Sequence, residues 1–267
     1  MAGALNNQVA IVTGAGRGIG RAIAVRFAAE GAAVAVTART QKQIDETAAT
    51  ITSQGGRVIA VAGDVTRRED VGRVVERTVA KFGPVTTLVS NAGHGGPYGP
   101  IGFVDPDEWW NSQALHVRAP LLFASALLPG MQKAGGGRIV IVASRGGVEV
   151  GPSLSAYCVG KATQIRFAQH LAAEGKEHHV AAFAIEPGTV ITDMAEATLA
   201  SPDAQRWLPH MLVSLREIKA QSDPRVGLAH AAEMCVKLAS GRYDGLSGRY
   251  LTPDDDFDAL LRAAALT

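Results

Sequence analysis

Cysteine, net charge and long apolar runs are all scarce in this 267-residue sequence. The two cysteines, Cys158 and Cys235, are too few for a disulfide framework, which is typical of a reducing compartment. A formal net charge of +1 gives no reason to expect nucleic acid or an anionic membrane as a partner. Residues 1–8 lack the basic and apolar segments of a signal peptide, and no apolar run approaches the ~18–20 residues that span a bilayer. We therefore expect a cytoplasmic protein with no membrane partner.

The sequence contains instead an alternation of short β-branched runs and longer helical stretches. Most of the β-branched runs are apolar throughout, which is typical of strands buried on both faces. This alternation predicts one α/β domain over residues 1–267, a Rossmann-type, doubly wound parallel sheet flanked by helices. The predicted strands are 9–13, 33–38, 57–62, 86–90, 138–143, 180–186 and 248–251, and the main predicted helices are 21–30, 41–53, 69–82, 107–132 and 156–174.

Residues 189–224 form the least regular stretch, with Pro202, Pro209 and scattered large apolar side chains. A long irregular insert in a compact domain is usually a lid or a binding loop. We therefore predict a substrate loop at about 189–224.

Residues 13–20, which read TGAGRGIG, lie between the first predicted strand and the first predicted helix. Glycines allow the backbone to turn sharply and to approach a ligand closely. The N-terminus of the following helix offers free N–H groups and the positive end of a dipole, where a pyrophosphate binds. The usual Gly-x-Gly-x-x-Gly spacing does not fit, whereas Gly14, Gly18 and Gly20 give Gly-x-x-x-Gly-x-Gly. The loop therefore predicts a dinucleotide site.

The order of motifs resembles the short-chain dehydrogenase/reductase family, in particular its ketoacyl-reductase-like members. After the glycine loop come DV at 64–65, NAG at 91–93, YCVGK at 157–161 and PGTVIT at 187–192, so the resemblance covers residues 8 to about 195. It implies an NAD(P)-dependent oxidoreductase that transfers hydride between nicotinamide and a carbonyl or secondary alcohol. The cofactor-binding residues that it implies are Thr13, Gly14, Gly16, Gly18, Ile19, Gly20, Asp64, Val65, Asn91, Ala92, Gly93, Tyr157, Lys161, Pro187, Gly188, Val190 and Thr192.

Two arginines bear on the choice between NADP and NAD. NAD sites commonly have an acidic residue about 20 positions after the glycine motif, and no carboxylate stands at the end of the second predicted strand. Arg39 stands there instead, and a guanidinium suits a 2′-phosphate by charge and by its planar donor geometry. Arg17 in the glycine loop is a second candidate for a phosphate contact. These residues favour NADP(H), while NAD(H) stays open.

Tyr157 and Lys161 are four residues apart in a predicted helix, so their side chains lie on one face about 6 Å apart. A free tyrosine has a pKa of about 10 and is therefore a poor acid–base catalyst at neutral pH. A nearby ammonium group favours the phenolate and lowers that pKa, so we expect Tyr157 to be the general acid and base.

Ser144 follows the predicted strand 138–143 and occupies the place of the family's catalytic serine, which implies that it polarises the substrate oxygen. The resemblance puts Ser144 and Tyr157 against the substrate, together with Glu149, Met194 and Trp207. The wider wall that we expect is largely apolar and leans toward a ketone of moderate size; it also includes His94, Tyr98, Val150, Leu208 and Met211.

His116 departs from the family pattern, because it stands where the family has an asparagine that helps to hold a water linking the lysine to solvent. Pro120 has no N–H, so the His116 carbonyl loses its helical donor four residues later. We expect an ordered water at that carbonyl, which would let the side chain at 116 vary. Two alternatives stay open: Pro120 merely kinks the helix, or the imidazole of His116 is itself catalytic and titrates near neutrality.

Two other functions stay open. The chain could be a catalytically silent NADP(H)-binding scaffold or sensor, for which the His116 change is the only support. It could be a lyase on the same fold, similar to halohydrin dehalogenases, although the intact glycine loop and Lys161 argue against this. His178 and His179 have no third ligand nearby, so no metal site is expected. The resemblance also implies a homotetramer.

Overall fold

The computed structural model describes residues 3–266, and within them seven short segments form one parallel sheet in the order β3-β2-β1-β4-β5-β6-β7. Four of these strands are buried along their whole length, which explains the uninterrupted apolar runs. All seven strands predicted from the sequence are present, with ends that differ by one or two residues. They are β1 (Val9–Thr13), β2 (Ala33–Thr37), β3 (Arg57–Ala60), β4 (Thr87–Ser90), β5 (Gly137–Val142), β6 (Val180–Ile185) and β7 (Tyr250–Leu251).

Helices cover both faces of this sheet, so the fold is the predicted Rossmann-type α/β fold. One face packs around Phe27 and Phe183, and the other packs around Phe123 and Ile141. The strand order reverses between β1 and β4, and ligands of such sheets bind at the carboxyl ends of the strands at this point. The helices are α1 (Gly18–Ala29), α2 (Gln41–Ser53), α3 (Arg68–Phe82), α4 (Pro106–Gln113), α5 (Ala119–Lys133), α6 (Ser155–Gly175), α7 (Asp193–Ala200), α8 (Pro202–Trp207), α9 (Pro209–Gln221), α10 (Pro224–Ala239) and α11 (Phe257–Ala264).

Helices α4 and α5 are joined by a π-helical turn, Ala114–Arg118, into one helical run, Pro106–Lys133. By length and composition alone this run of 28 residues is apolar enough to cross a membrane, which the reading of apolar runs in the sequence did not anticipate. Core helices of soluble proteins pass the same test, and α5 packs Leu122, Phe123 and Met131 into the core of the sheet. The feature is therefore explained by the fold.

Residues 189–224 are more regular than the sequence predicts, because α7, α8 and α9 occupy most of them. Pro202 and Pro209 were interpreted as marks of an irregular stretch, and this was wrong. Each stands in the first turn of its helix, where a missing N–H costs nothing and the fixed φ is already helical. Ser201 caps α8 by accepting a hydrogen bond from the N–H of Ala204.

Candidate functional site

The glycine loop is shaped by close backbone approach. Gly14 and Gly18 have φ angles of +64° and +54°, in the left-handed region that favours glycine. A Cβ on Gly20 would collide with the Gly14 carbonyl and with the Asn91 side chain, so α1 can lie against the loop only because position 20 is glycine. Arg17 at the N-cap of α1 makes no side-chain capping bond within the described chain. The first N–H groups of α1 therefore stay open for an anion.

Thr13 and Asn91 fasten this loop to the end of β4. The backbone N–H groups of Asn91 and Ala92 donate to Thr13 Oγ1 at 2.9 and 3.1 Å, and Asn91 Nδ2 donates to the Thr13 carbonyl at 2.9 Å. The Thr13 side chain is buried. Its polar atoms serve the loop itself, and it contributes to a ligand site by holding the loop in shape.

A cavity of about 670 Å³ opens at the carboxyl ends of β1, β2 and β4. Its walls bring together many of the residues that the sequence predicts for a cofactor: Gly14, Gly16, Arg17, Gly18, Ile19, Arg39, Asp64, Val65, Asn91, Ala92, Gly93 and Thr192, together with His94 and Met194. Seven predicted residues lie outside its lining, namely Thr13, Gly20, Tyr157, Lys161, Pro187, Gly188 and Val190.

The two arginines at this cavity have different surroundings. Arg17 Nη1 pairs with Asp193 Oδ2 on α7 at 3.0 Å, although both side chains are 58% exposed. Arg39 is exposed and has no hydrogen bond or ion pair within residues 3–266. The free guanidinium is therefore Arg39, whereas Arg17 bridges the glycine loop to the start of the predicted substrate loop.

Asp64 is engaged in its own loop through one oxygen. Its Oδ1 accepts hydrogen bonds from the N–H and the hydroxyl of Thr66 at 2.9 and 2.7 Å. Asp64 lines the cavity, and its Oδ2 has no hydrogen-bond partner among the residues that the structure describes. The carboxylate thus combines a turn-capping role with one oxygen available to a ligand.

Ser144, Tyr157 and Lys161 meet beside β5. Ser144 is the second residue after the end of β5, and Tyr157 and Lys161 lie one turn apart on α6. Lys161 Nζ lies 5.6 Å from the centre of the Tyr157 ring. It donates hydrogen bonds to the Val142 carbonyl at 2.7 Å and to Gln164 Oε1 at 3.0 Å. The sequence spacing therefore does place the hydroxyl-bearing ring and the ammonium group together.

The pKa values of this pair differ from the sequence expectation. Burial raises the pKa of Tyr157, and the side-chain interaction with Ser144 opposes that rise. Burial also lowers the pKa of Lys161 to about 7. The expected lowering of the Tyr157 pKa by Lys161 was wrong for the protein alone, because desolvation of the phenolate outweighs the attraction of a lysine that is itself desolvated.

The imidazole of His116 is fully buried between two glycines. A Cβ on Gly160 would lie 2.7 Å from the His116 Cβ, and a Cβ on Gly93 would lie 3.1 Å from Cε1. His116 Nε2 is 3.0 Å from the His94 carbonyl, an acceptor only, so Nε2 carries the proton. Nδ1 is then a bare acceptor, buried without a partner among the described residues.

This environment keeps His116 neutral. Burial, assisted by the positive charge of Lys161, lowers the pKa of His116 to about 3. The ring meets Tyr157 edge-on, with 5.7 Å between ring centres. An imidazole that titrates near neutrality, one of the alternatives from the sequence, is therefore not what the structure holds.

The carbonyl of His116 has a donor that the sequence reasoning missed. Pro120 provides no N–H, as expected, and Gln164 Nε2 donates to that carbonyl at 2.9 Å. One donor is thus a side-chain amide, and because a carbonyl oxygen can accept two hydrogen bonds, the expected water stays a prediction. The signal was present, since Gln164 is three residues after Lys161 and seven after Tyr157, which puts all three on one face of α6.

The predicted substrate wall is only partly assembled. Met194 lines the cavity, while Glu149 and Val150 are exposed and lie outside its lining. Tyr98 and Trp207 join Leu208 and Met211 in a separate apolar cluster around α8 and α9. The Tyr98 hydroxyl is 2.7 Å from the Thr198 hydroxyl on α7, which ties the loop after β4 to the 189–224 segment.

Comparison with known proteins agrees with this geometry. A family model described as short chain dehydrogenase matches residues 8–203. A short chain dehydrogenase of Pseudocercospora fijiensis is 33% identical over 270 residues, covering 98% of this chain and 85% of that protein. The A-factor type γ-butyrolactone 1′-reductase (1S-forming) of Streptomyces virginiae is 32% identical over 260 residues, covering 97% and 98%. The solved structure of a 7α-hydroxysteroid dehydrogenase complexed with NADH and 7-oxo glycochenodeoxycholic acid is 26% identical, with a TM-score of 0.80 over 93% of each chain.

Proposed function

The chain belongs to the short-chain dehydrogenase/reductase family and is an NAD(P)-dependent oxidoreductase, and from this we propose that it transfers hydride between NADP(H) and a small-molecule carbonyl or secondary alcohol. Tyr157 is the general acid and base of this proposal, Ser144 polarises the substrate oxygen, and Lys161 supports the tyrosine. The observation that carries it is the convergence of Ser144, Tyr157 and Lys161. His116 connects this group to the glycine-walled cavity, because its ring contacts Tyr157 and bonds to the carbonyl of the cavity-lining His94.

The residues present fit a nicotinamide dinucleotide. Gly14, Gly16 and Gly18 form a cradle from which side chains are absent, and the open N-terminus of α1 suits the pyrophosphate. When bound, the cofactor supplies or accepts the hydride. Asp64 Oδ2 is a candidate partner for the adenine amino group, because its other oxygen is already used by Thr66.

Arg39 supports NADP(H) over NAD(H). Its guanidinium stands exposed at the cavity and free of a carboxylate partner within the described chain, so it can pair with a 2′-phosphate without first breaking an ion pair. Arg17 would have to leave Asp193 to make such a contact. The 7α-hydroxysteroid dehydrogenase with NADH belongs to the same comparison, so cofactor choice is argued from this chain's own arginines.

Tyr157 supplies the proton in the proposed reduction. With a raised pKa, Tyr157 is protonated at neutral pH and can donate to a carbonyl oxygen during reduction. Donation leaves a phenolate, which burial disfavours, and in this proposal the Lys161 ammonium 5.6 Å from the ring centre stabilises it.

The substrate is proposed at the level of class. Two of the proteins named above are described as a γ-butyrolactone 1′-reductase and as a 7α-hydroxysteroid dehydrogenase in complex with 7-oxo glycochenodeoxycholic acid. We propose a ketone of moderate size for this chain. The apolar cluster around Trp207 and Met211 is suited to such a molecule. A homotetramer stays a prediction from the resemblance, and a cytoplasmic location stays a prediction from the composition of the sequence.

The decisive experiment separates cofactor binding from turnover. Purified protein is titrated with NADPH and NADH by fluorescence, and NADPH oxidation is followed with a panel of ketones of moderate size. We expect tighter binding of NADPH and turnover of at least one ketone. Cofactor binding without turnover of any panel member, in the wild type as in a Tyr157→Phe variant, would instead identify the protein as a silent NADP(H)-binding scaffold or sensor.

A further inference from the structure

The ammonium group of Lys161 is held by two protein acceptors. The side chain is 4% exposed, and Nζ donates to the Val142 carbonyl on β5 at 2.7 Å and to Gln164 Oε1 at 3.0 Å. An ammonium has three N–H groups, so one remains without an acceptor among the described residues. The other two bonds restrict the directions that this last N–H can take.

The other end of the Gln164 amide is also committed. Gln164 is 1% exposed, and its Nε2 donates to the His116 carbonyl at 2.9 Å. This carbonyl needs a side-chain donor because Pro120 has no N–H. The amide can serve both ends in only one orientation, since a flipped group would turn its NH2 toward the ammonium and its oxygen toward the carbonyl.

We propose that Gln164 is the positioning residue of the catalytic lysine, bridging the Lys161 ammonium to the His116 carbonyl so that Lys161 is anchored by protein groups without a solvent link on this side. The role of Lys161 itself rests on the proposed function. A neutral amide accepts the ammonium N–H but does not take up and release protons near pH 7. The bridge therefore holds the lysine and does not conduct protons away from it.

The charge of Lys161 depends on this anchor because of the charged and titratable groups in its surroundings. They are Tyr157 on α6, His116 on the π-helical turn, His94 after β4, and Glu186 after β6, whose carboxylate is paired with Arg145 and with the Tyr250 hydroxyl. No carboxylate pairs with Lys161 within the described range. Burial lowers the pKa of Lys161 to about 7, and only carbonyl-type oxygens favour its charged form. Losing the Gln164 oxygen should therefore leave Lys161 neutral at pH 7.

The test compares two buried glutamines. Gln113 is 6% exposed, and its Nε2 donates to the Ala156 carbonyl on α6 at 2.8 Å, but it does not contact Lys161. Gln164→Met and Gln113→Met each remove a buried amide that donates to backbone carbonyl oxygens, and Gln113 Nε2 also donates to the Trp109 carbonyl at 3.4 Å. The pKa of Lys161 is measured in the cofactor-free protein by NMR of 13C-labelled lysine, and the pH profiles of kcat and KM are measured with NADPH and the best ketone.

We expect Gln164→Met to lower the Lys161 pKa by about one unit or more and kcat at pH 7 by about tenfold, with a smaller change in KM. Gln113→Met should leave the Lys161 pKa and the shape of the profile unchanged. Equal effects of both variants, with an unmoved Lys161 pKa, would overturn the proposal and make Gln164 a structural residue only.

A second variant covers the case in which Gln164→Met does not fold. Gln164→Glu puts a carboxylate against the ammonium and should raise the Lys161 pKa, a shift opposite in sign to that of Gln164→Met. An unmoved pKa in Gln164→Glu contradicts the proposal. The NMR titration needs no turnover, so a Lys161 pKa that responds to Gln164 in a protein that reduces no ketone would contradict the proposed function and leave the anchor standing.

Discussion

Two regions of the site are built in opposite ways: the glycine-walled cradle, and the catalytic wall formed by Tyr157, Lys161 and Gln164 on α6 with His116 on the π-helical turn. In the cradle, backbone N–H groups can contact a ligand because glycines such as Gly14 and Gly20 leave room that a side chain would fill. In the catalytic wall, side chains are connected one to the next, from Lys161 through Gln164 to the His116 carbonyl. The cradle should therefore be sensitive to added atoms, whereas the wall should be sensitive to removed polar groups.

Tyr157→Phe should separate the two regions most strongly, because it removes the proton donor of the catalytic wall and leaves the cradle unchanged. We expect kcat to fall by roughly 10²–10⁴-fold while NADPH affinity changes by less than about twofold. Stopped-flow turnover and fluorescence titration measure the two quantities separately. A variant that retains more than about a tenth of kcat would show that Tyr157 is not the general acid.

The buried neutral state of His116 gives a pH dependence of stability. The pKa of His116 falls from 6.5 to about 3 on folding, so between these values the unfolded chain binds the extra proton. Stability should therefore be lost as pH falls below 6.5, by up to about 1.4 kcal/mol per pH unit.

His116→Asn should flatten this slope in urea unfolding curves at pH 7, 5.5 and 4.5. His170→Asn, on the exposed part of α6, is the matched control and should keep the wild-type slope. Parallel slopes in all three proteins would mean that His116 takes up a proton in the folded state.

Arg39→Asp tests the cradle alone. The replacement puts a carboxylate where a 2′-phosphate would be neutralised, so NADPH affinity should fall by about 10- to 100-fold while NADH affinity changes little. The pH profile of kcat at saturating cofactor should keep its shape, because the wall is untouched. A wild type that already prefers NADH would contradict the NADP(H) assignment before any mutation is made.

Asp193→Asn should have the smallest effect. It frees Arg17 from an exposed ion pair, and such pairs are worth at most about 1 kcal/mol. NADPH should bind slightly more tightly at low salt, by less than about fivefold, and the difference should vanish near 1 M salt. Weaker binding in the variant would show that the Arg17–Asp193 pair itself shapes the phosphate site.

The cradle could be predicted from the sequence because its signals are local. The strand, the glycines and the helix of residues 9–29 follow one another, and the seven strands are apolar runs that show directly in the sequence. The wall could be predicted only in part. Gln164 donates a hydrogen bond to a carbonyl 48 residues away in the sequence, and Asp193 forms an ion pair with Arg17, which is 176 residues away. No local sequence pattern indicates contacts between residues so far apart in the chain. Residues 189–224 were predicted to be irregular partly because of their prolines, but proline disrupts only the interior of a helix and is tolerated in its first turn.

Gly160 sets how closely α6 can approach the π-helical turn that carries His116. A Cβ on Gly160 would lie 2.7 Å from the His116 Cβ, and every residue except glycine has a Cβ at position 116. A side chain at 160 therefore requires a backbone shift between the two segments whatever residue stands at 116. Cγ and Cδ2 of the imidazole lie 3.0 and 3.2 Å from the same point, so histidine tightens this requirement. A graft of His116 into a relative should therefore carry Gly160 with it.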